Sequence, residues 1–72
     1  MPLLSGSSQK TIGKNIFHCR KDKKISQAEL SERLKISRQQ LFSYEKAKNR
    51  ISASRLFEAA KILNKPISFF FE

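Results

Sequence analysis

The 72-residue chain is predicted to adopt an all-α fold of five helices. Three sites along it share a helix-start signature, a serine N-cap with an apolar residue just before it and another four positions after it. No segment alternates apolar and polar residues in the way that predicts a half-buried strand. With one cysteine and 39% hydrophobic residues, the fold must be held by apolar packing around one small core. We expect residues 11–72 to form this single domain.

Residues 1–10 are expected to form a flexible N-terminal arm, because Ser, Gly, Gln and Lys dominate there without an apolar period. The first helix is predicted over about residues 11–24. Within it, Ile12, Ile16 and Cys19 recur at spacings of four and three, which makes one apolar stripe of an amphipathic helix.

Two of the three helix-start signatures stand eleven residues apart and predict two short helices joined by a tight turn. Ser26 pairs with Glu29 in the first capping box, and Ser37 pairs with Gln40 in the second. Between the two starts there is room for only about two helical turns. Helices so short and so closely joined must cross steeply, as in a helix-turn-helix.

The second helix, over about residues 27–34, is expected to bury Leu30, to let another helix come close at Ala28 and to leave Ser31 in water. The third helix is predicted over about residues 38–46. It buries two apolar residues three positions apart and exposes a face with few acids and several long hydrogen-bond donors.

A fourth helix is predicted to follow the third serine cap, and Asn64 can end it. A short last helix is expected to close the core through Ile67 and Phe70, which are three residues apart. Phe69 and Phe71 would then be partly exposed, as at a dimer contact, although all three rings finishing a small core is the competing interpretation.

The chain carries a formal net charge of +9, from 15 basic and 6 acidic residues. Such a charge favours a polyanionic partner, with nucleic acid as the first candidate and a membrane surface as the second. A basic surface that serves solubility alone is the plainer explanation. No segment approaches the length of a membrane span, and one cysteine does not require an oxidising compartment, so a cytoplasmic location is expected.

The stretches SQAELSERLKISRQQLFSYE and NRISASRLFEAAKILNKPISFFFE together resemble the helix-turn-helix domain of Cro/C1-type (XRE-like) repressors of phages and bacteria. The resemblance covers about residues 12–72. It implies a compact five-helix lambda-repressor-like domain, whose second helix spans the DNA backbone and whose third helix enters the major groove. It also implies a structural ion pair between Arg20 and Glu45.

The chain departs from the family pattern at three turns. Family members usually carry glycine where this chain has Lys24, Lys35 and Ala47, at helix ends or turns where φ is often positive. A non-glycine residue in the left-handed region costs roughly 1 kcal/mol, so we expect strain or a different local path at these turns.

The function implied by the resemblance is sequence-specific binding of double-stranded DNA by a transcriptional regulator. A repressor that binds an inverted-repeat operator as a homodimer is the expected form, with contact to RNA polymerase as a further route of action. The alternatives are the antitoxin of a toxin–antitoxin pair, which would also bind a protein toxin, and a protein-interaction adaptor with the same fold. A membrane-binding protein is not expected, because the helices are committed to a shared core.

The residues expected to contact DNA bases lie at the leading end and outer face of the third helix. Arginine pairs with guanine and glutamine with adenine through two hydrogen bonds each, so this face can specify both. An aromatic ring there can press on thymine methyl groups or sugar, or fold back onto the domain, and the arginine has a phosphate contact as its alternative. The predicted base-contacting residues are Ser37, Arg38, Gln39, Phe42 and Ser43.

The residues expected to contact DNA phosphates lie at the start of the second helix and in the loop after the third. Free amide N–H groups at a helix start make a natural phosphate site, and loop cations position a protein on the backbone. A solvated loop and an exposed spectator glutamine are the plainer explanations. The predicted phosphate-contacting residues are Gln27, Lys46, Lys48, Asn49 and Arg50.

No catalytic, metal or cofactor site is predicted. His18 and Cys19 are the only histidine and cysteine, and as helix neighbours they point about 100° apart. Cys19 belongs to the core stripe and His18 to the surface. There is no glycine-rich phosphate loop and no carboxylate pair that supports catalysis.

Overall fold

The computed structural model describes residues 6–72, and no strand occurs among them. The prediction of an all-α, five-helix domain is confirmed, with the last helix in the tighter 3₁₀ form. The four α-helices are α1 (Gly6–Asp22), α2 (Gln27–Leu34), α3 (Arg38–Glu45) and α4 (Ala53–Ile62), and the terminal 3₁₀ helix spans Ile67–Phe71. None of these helices is long and apolar enough to cross a membrane.

α1 begins earlier than the sequence predicted. Residues 6–10, assigned to the flexible arm, are helical, and Gln9 is only 4% exposed. The Gln9 carboxamide accepts a hydrogen bond from the Ile51 backbone N–H at 2.9 Å and donates one to the Ile51 carbonyl at 3.5 Å. A polar residue that is buried by hydrogen bonding adds nothing to hydrophobic periodicity, which is why the predicted start of α1 lies too late in the chain. The rest of the predicted arm, residues 1–5, lies outside the described residues.

The three predicted serine caps are all formed. The side-chain oxygens of Ser26, Ser37 and Ser52 each accept a hydrogen bond, at 3.0 to 3.1 Å, from the backbone N–H three residues later. Each cap has an extended backbone that turns into the helix. These caps fix where α2, α3 and α4 begin.

All four α-helices end in the same turn, in which a non-glycine residue adopts the left-handed conformation. The residue after it donates its N–H to the carbonyl five positions earlier, which is the Schellman pattern. The expectation of positive φ where relatives usually carry glycine is confirmed at three turns, and a fourth follows α4. The φ values are 58° at Lys24, 60° at Lys35, 58° at Ala47 and 57° at Asn64.

The core is formed by apolar residues from every helix. The buried side chains are Ile12, Ile16, Cys19, Leu30, Leu34, Leu41, Tyr44, Ile51, Leu56, Ala59, Ala60, Leu63 and Phe70. Asn15 of α1 donates from its side chain to the carbonyls of Phe70 at 3.0 Å and Phe69 at 3.4 Å, which fastens the terminal helix to α1.

Three packing predictions were wrong. Ser31 is buried, whereas Ala28 is exposed, so the small residue that α2 turns toward the interior is the serine. Its hydroxyl donates to the Ala28 carbonyl at 3.0 Å, which satisfies it within the helix. Ile67 is 36% exposed because it stands at the start of the terminal helix, one turn before Phe70 enters the core.

Candidate nucleic-acid interface

The outward face of α3 carries the predicted base-contacting residues. Ser37, Arg38 and Gln39 are exposed at its start, and Ser43 is half-buried about one and a half turns further along. The Ser37 oxygen accepts one hydrogen bond from the Gln40 N–H at 3.0 Å, so its hydroxyl hydrogen and its second lone pair remain for another partner. α3 therefore presents a polar leading end with flexible donors.

Phe42 stands on the same outward face and stays out of the core. Its side chain is 40% exposed. The ammonium groups of Lys46 and Lys48 each lie 5.8 Å from the centre of its ring, which is cation–π distance. The ring thus supports two cations at the end of α3 rather than folding back into the domain.

The loop after α3 is basic and its backbone path is fixed. The Lys48 N–H donates to the Ser43 carbonyl at 2.8 Å, and the Asn49 N–H lies 3.4 Å from the same oxygen. Lys46, Lys48, Asn49 and Arg50 are exposed. The side chains of this loop are exposed, with the two lysines resting against Phe42, while the turn that carries them is held to α3.

A single buried carboxylate joins α1, α2 and α3. The Arg20 guanidinium donates to the two oxygens of Glu45, from Nε at 2.8 Å and from Nη2 at 3.2 Å. Gln27, the first residue of α2, donates from Nε2 to Glu45 Oε1 at 3.1 Å. Gln27, predicted as a phosphate contact, therefore also belongs to an internal network, and it is half-buried.

An open cleft of about 530 Å³ lies beside this network, between the end of α1 and the starts of α2 and α3. We refer to it as the α1–α2 cleft. Its lining residues are Arg20, Lys21, Lys24, Ile25, Ser26, Gln27 and Arg38.

The α1–α2 cleft is lined by cations and by no carboxylate. Arg20 is neutralised by Glu45, but Lys21, Lys24 and Arg38 form no salt bridge with another described residue. Lys21 and Lys24 were not among the predicted DNA contacts. The signal in the sequence is a lysine at a helix end where the resemblance leads one to expect glycine, but which residues surround it depends on the tertiary fold.

The described residues hold no group of His, Cys, Asp and Glu side chains that could bind a metal ion. Cys19 is buried in the core, and burial raises the pKa of its thiol. His18 is exposed and packs edge-on against Phe17, with ring centres 5.3 Å apart. These side chains do not form part of the outward face of α3 or of the α1–α2 cleft.

A short capped helix with a polar outer face, crossed by a second short helix and bordered by a basic loop, defines the helix-turn-helix class of nucleic-acid-binding proteins. A family model described as helix-turn-helix matches residues 16–70. The chain belongs to this family, the XRE-like helix-turn-helix DNA-binding transcriptional regulators.

Curated relatives are also described as helix-turn-helix transcriptional regulators. The chain is 46% identical over 61 residues to an uncharacterized HTH-type transcriptional regulator of Rickettsia conorii, covering 85% of this chain and 49% of the relative. It is 54% identical over 48 residues to one of Rhizobium meliloti, covering 67% of this chain and 34% of the relative. The chain thus spans half or less of the length of these relatives.

Solved structures share the fold. The clp gene regulator ClgR from C. glutamicum aligns over 97% of this chain and 86% of its own, with a TM-score of 0.82 and 23% identity. The restriction-modification controller protein C.AhdI from Aeromonas hydrophila aligns over 90% of this chain and 98% of its own, with a TM-score of 0.83 and 18% identity. At these identities the likeness concerns the fold.

Proposed function

We propose that this chain is the sequence-specific DNA-binding domain of a transcriptional repressor that binds an inverted-repeat operator in double-stranded DNA as a homodimer. The observation that carries the proposal is the outward face of α3, which presents Arg38 and Gln39 at its exposed start. Arginine recognises guanine O6 and N7, and glutamine recognises adenine N6 and N7, each through two hydrogen bonds in the major groove.

In this proposal Ser37 and Ser43 supply hydroxyl contacts to base edges along the same face. Phe42 presses on a thymine methyl group or a sugar, since its ring is exposed and apolar. Two lysine ammonium groups held above that ring would meet the adjoining phosphates. The proposed base-contacting residues therefore all lie on the outward face of α3.

The phosphate contacts come from both ends of the motif. Lys46, Lys48, Asn49 and Arg50 bind the backbone beside the half-site, which sets register without reading sequence. Gln27 binds a phosphate at the start of α2, where two amide N–H groups of the first turn point outward. Its bond to Glu45 uses one hydrogen of the carboxamide and leaves the other for DNA.

The homodimer forms through the terminal helix. Phe71 is 44% exposed and Phe69 is half-buried. In the proposed dimer a second copy covers these rings, and the two α3 helices occupy half-sites about 34 Å apart, one turn of DNA. Occlusion of a promoter by such a dimer is the proposed mode of repression.

Selection of bound duplexes from a random DNA library at about 150 mM salt tests the proposal, because that salt concentration weakens non-specific binding. We expect enrichment of an inverted repeat with half-site centres one helical turn apart. Enrichment of a single half-site would support sequence-specific binding and contradict the proposed dimer. No enrichment would overturn sequence recognition.

On the selected operator, Arg38→Ala and Lys48→Ala form a matched pair, since each removes one exposed cation. Arg38→Ala is expected to cost about 1–3 kcal/mol and to relax one base position, whereas Lys48→Ala weakens binding to all sequences alike. Equal loss on every sequence for both variants would contradict the assignment of Arg38 as a base contact.

A further inference from the structure

The four left-handed turns do not have the same surroundings. An L-residue in this conformation is destabilising relative to glycine, although asparagine, as at Asn64, tolerates it better than other residues. Lys24 and Lys35 occupy equivalent positions in these turns, with φ of 58° and 60° and the same Schellman hydrogen bonds. Only Lys24 lines the α1–α2 cleft.

The α1–α2 cleft has the charge of an anion site. Three cations on its walls, Lys21, Lys24 and Arg38, have no salt-bridge partner among the described residues, and no carboxylate lines it. A concave surface of one charge concentrates the field and raises the local concentration of counter-ions. Its floor is rigid, because Arg20 is held by Glu45 and by the Ile25 carbonyl at 3.0 Å.

We propose that the α1–α2 cleft binds a phosphodiester of the DNA backbone and that Lys24 supplies the contact, so that the strain of its left-handed backbone is offset by DNA affinity. The inference rests on the proposed function, since DNA is the source of the phosphate. Arg38 lines the cleft and also begins α3, so the bound phosphate lies next to the base step that the start of α3 meets. Lys24 then acts as a positioning residue for sequence recognition.

Lys24→Gly and Lys35→Gly are matched variants of the full chain. Each removes one charge and relieves one left-handed residue, so both should raise the melting temperature by several degrees. Loss of one unit of net charge weakens long-range attraction to DNA equally in both. A difference in DNA affinity between them therefore reports a local contact at Lys24.

The measurement is the Kd for a duplex across 50 to 200 mM salt. For Lys24→Gly we expect the slope of log K against log salt to become shallower by about 0.9. The loss of affinity between 50 and 200 mM salt should therefore be roughly threefold smaller than for the wild type. Lys35→Gly should keep the wild-type slope. Lys24→Met, which keeps the side-chain stem and the strained backbone, should lose affinity like Lys24→Gly without gaining stability, and Lys24→Arg should retain affinity.

Equal slopes and affinities for Lys24→Gly and Lys35→Gly would overturn the inference while leaving the proposed function intact. If the wild-type chain binds duplexes without sequence preference, the proposed sequence recognition is wrong. The salt slopes of the same variants, measured on a non-specific duplex, would still decide the role of Lys24. A wild-type chain that binds no duplex at all would overturn both.

Discussion

Arg20 and Glu45 form a buried ion pair that joins the last turn of α1 to the last residue of α3. The closest contact, between Arg20 Nε and Glu45 Oε2, measures 2.8 Å, and the two side chains are 7% and 2% exposed. Because Gln27 donates to the same carboxylate, the angle between the two helices of the motif is tied to α1. The pair therefore holds α3 in place before any partner binds.

Glu45→Gln should destabilise the domain strongly. The substitution leaves the Arg20 guanidinium buried without a counter-charge, and loss of one partner of a buried pair costs about 3–5 kcal/mol. Urea unfolding followed by circular dichroism measures the loss. Glu29→Gln is the control, since its pair with Arg33 at 2.9 Å is about half exposed and should contribute less than about 1 kcal/mol. Similar losses for the two variants would show that burial does not govern the strength of this pair.

Gly13→Ala should open the contact between α1 and α3. A Cβ atom added at Gly13 would lie 2.8 Å from the Glu45 carbonyl oxygen and nearer still to that of Tyr44. Both neighbours are backbone atoms that cannot rotate away, so we expect a loss of about 1–3 kcal/mol or more, despite the better helix propensity of alanine. Lys14→Ala, at the exposed neighbour, should change thermal stability by less than about 0.5 kcal/mol. An unchanged melting temperature for Gly13→Ala would mean that the helices can separate freely.

Ala47→Gly should stabilise the domain. Ala47 has φ 58° and an N–H that is hydrogen-bonded to the Tyr44 carbonyl at 3.1 Å, so glycine fits the existing turn. Relief of about 1 kcal/mol corresponds to roughly 4–8 °C in melting temperature for a domain of this size. Ala28→Gly, the same change on an exposed position inside α2, should instead lower stability by about 0.5–1 kcal/mol. If both variants lose stability, the turn after α3 is not strained.

Cys19 should react slowly with alkylating reagents in the folded protein and rapidly in denaturant. Burial raises the pKa of the thiol above its ordinary value of 9.0, so the reactive thiolate is scarce at neutral pH in addition to being inaccessible. The unfolded thiol loses its proton at a lower pH than the folded one. This residue therefore contributes a loss of stability as the pH rises above about 9.

Unfolding titrations of wild type and Cys19→Ala at pH 8 and pH 10 isolate that contribution. The wild type should lose more stability than the variant between the two pH values. Parallel losses would mean that the thiol does not set the alkaline limit.

Hydrogen-bonding serines made the starts of α2, α3 and α4 predictable, because a cap is a local feature of five or six residues. α1 was predicted to start too late because Gln9 is buried through the backbone of Ile51, 42 residues away. The exposed face of α3 followed from helical periodicity alone. The α1–α2 cleft could not be predicted from periodicity, since it forms only when Arg38 is packed beside residues 20–27.

α1 touches both surfaces that the proposed function requires. Asn15 holds the terminal helix, where a second copy is proposed to bind, and Arg20 holds α3. The two attachments lie five positions apart on one continuous helix, about 7.5 Å along its axis. In the proposed dimer, α1 is therefore a rigid spacer within each subunit. The distance between the two reading helices is then set by α-helix geometry together with the proposed dimer contact, and an operator with altered spacing must bend or untwist to be bound.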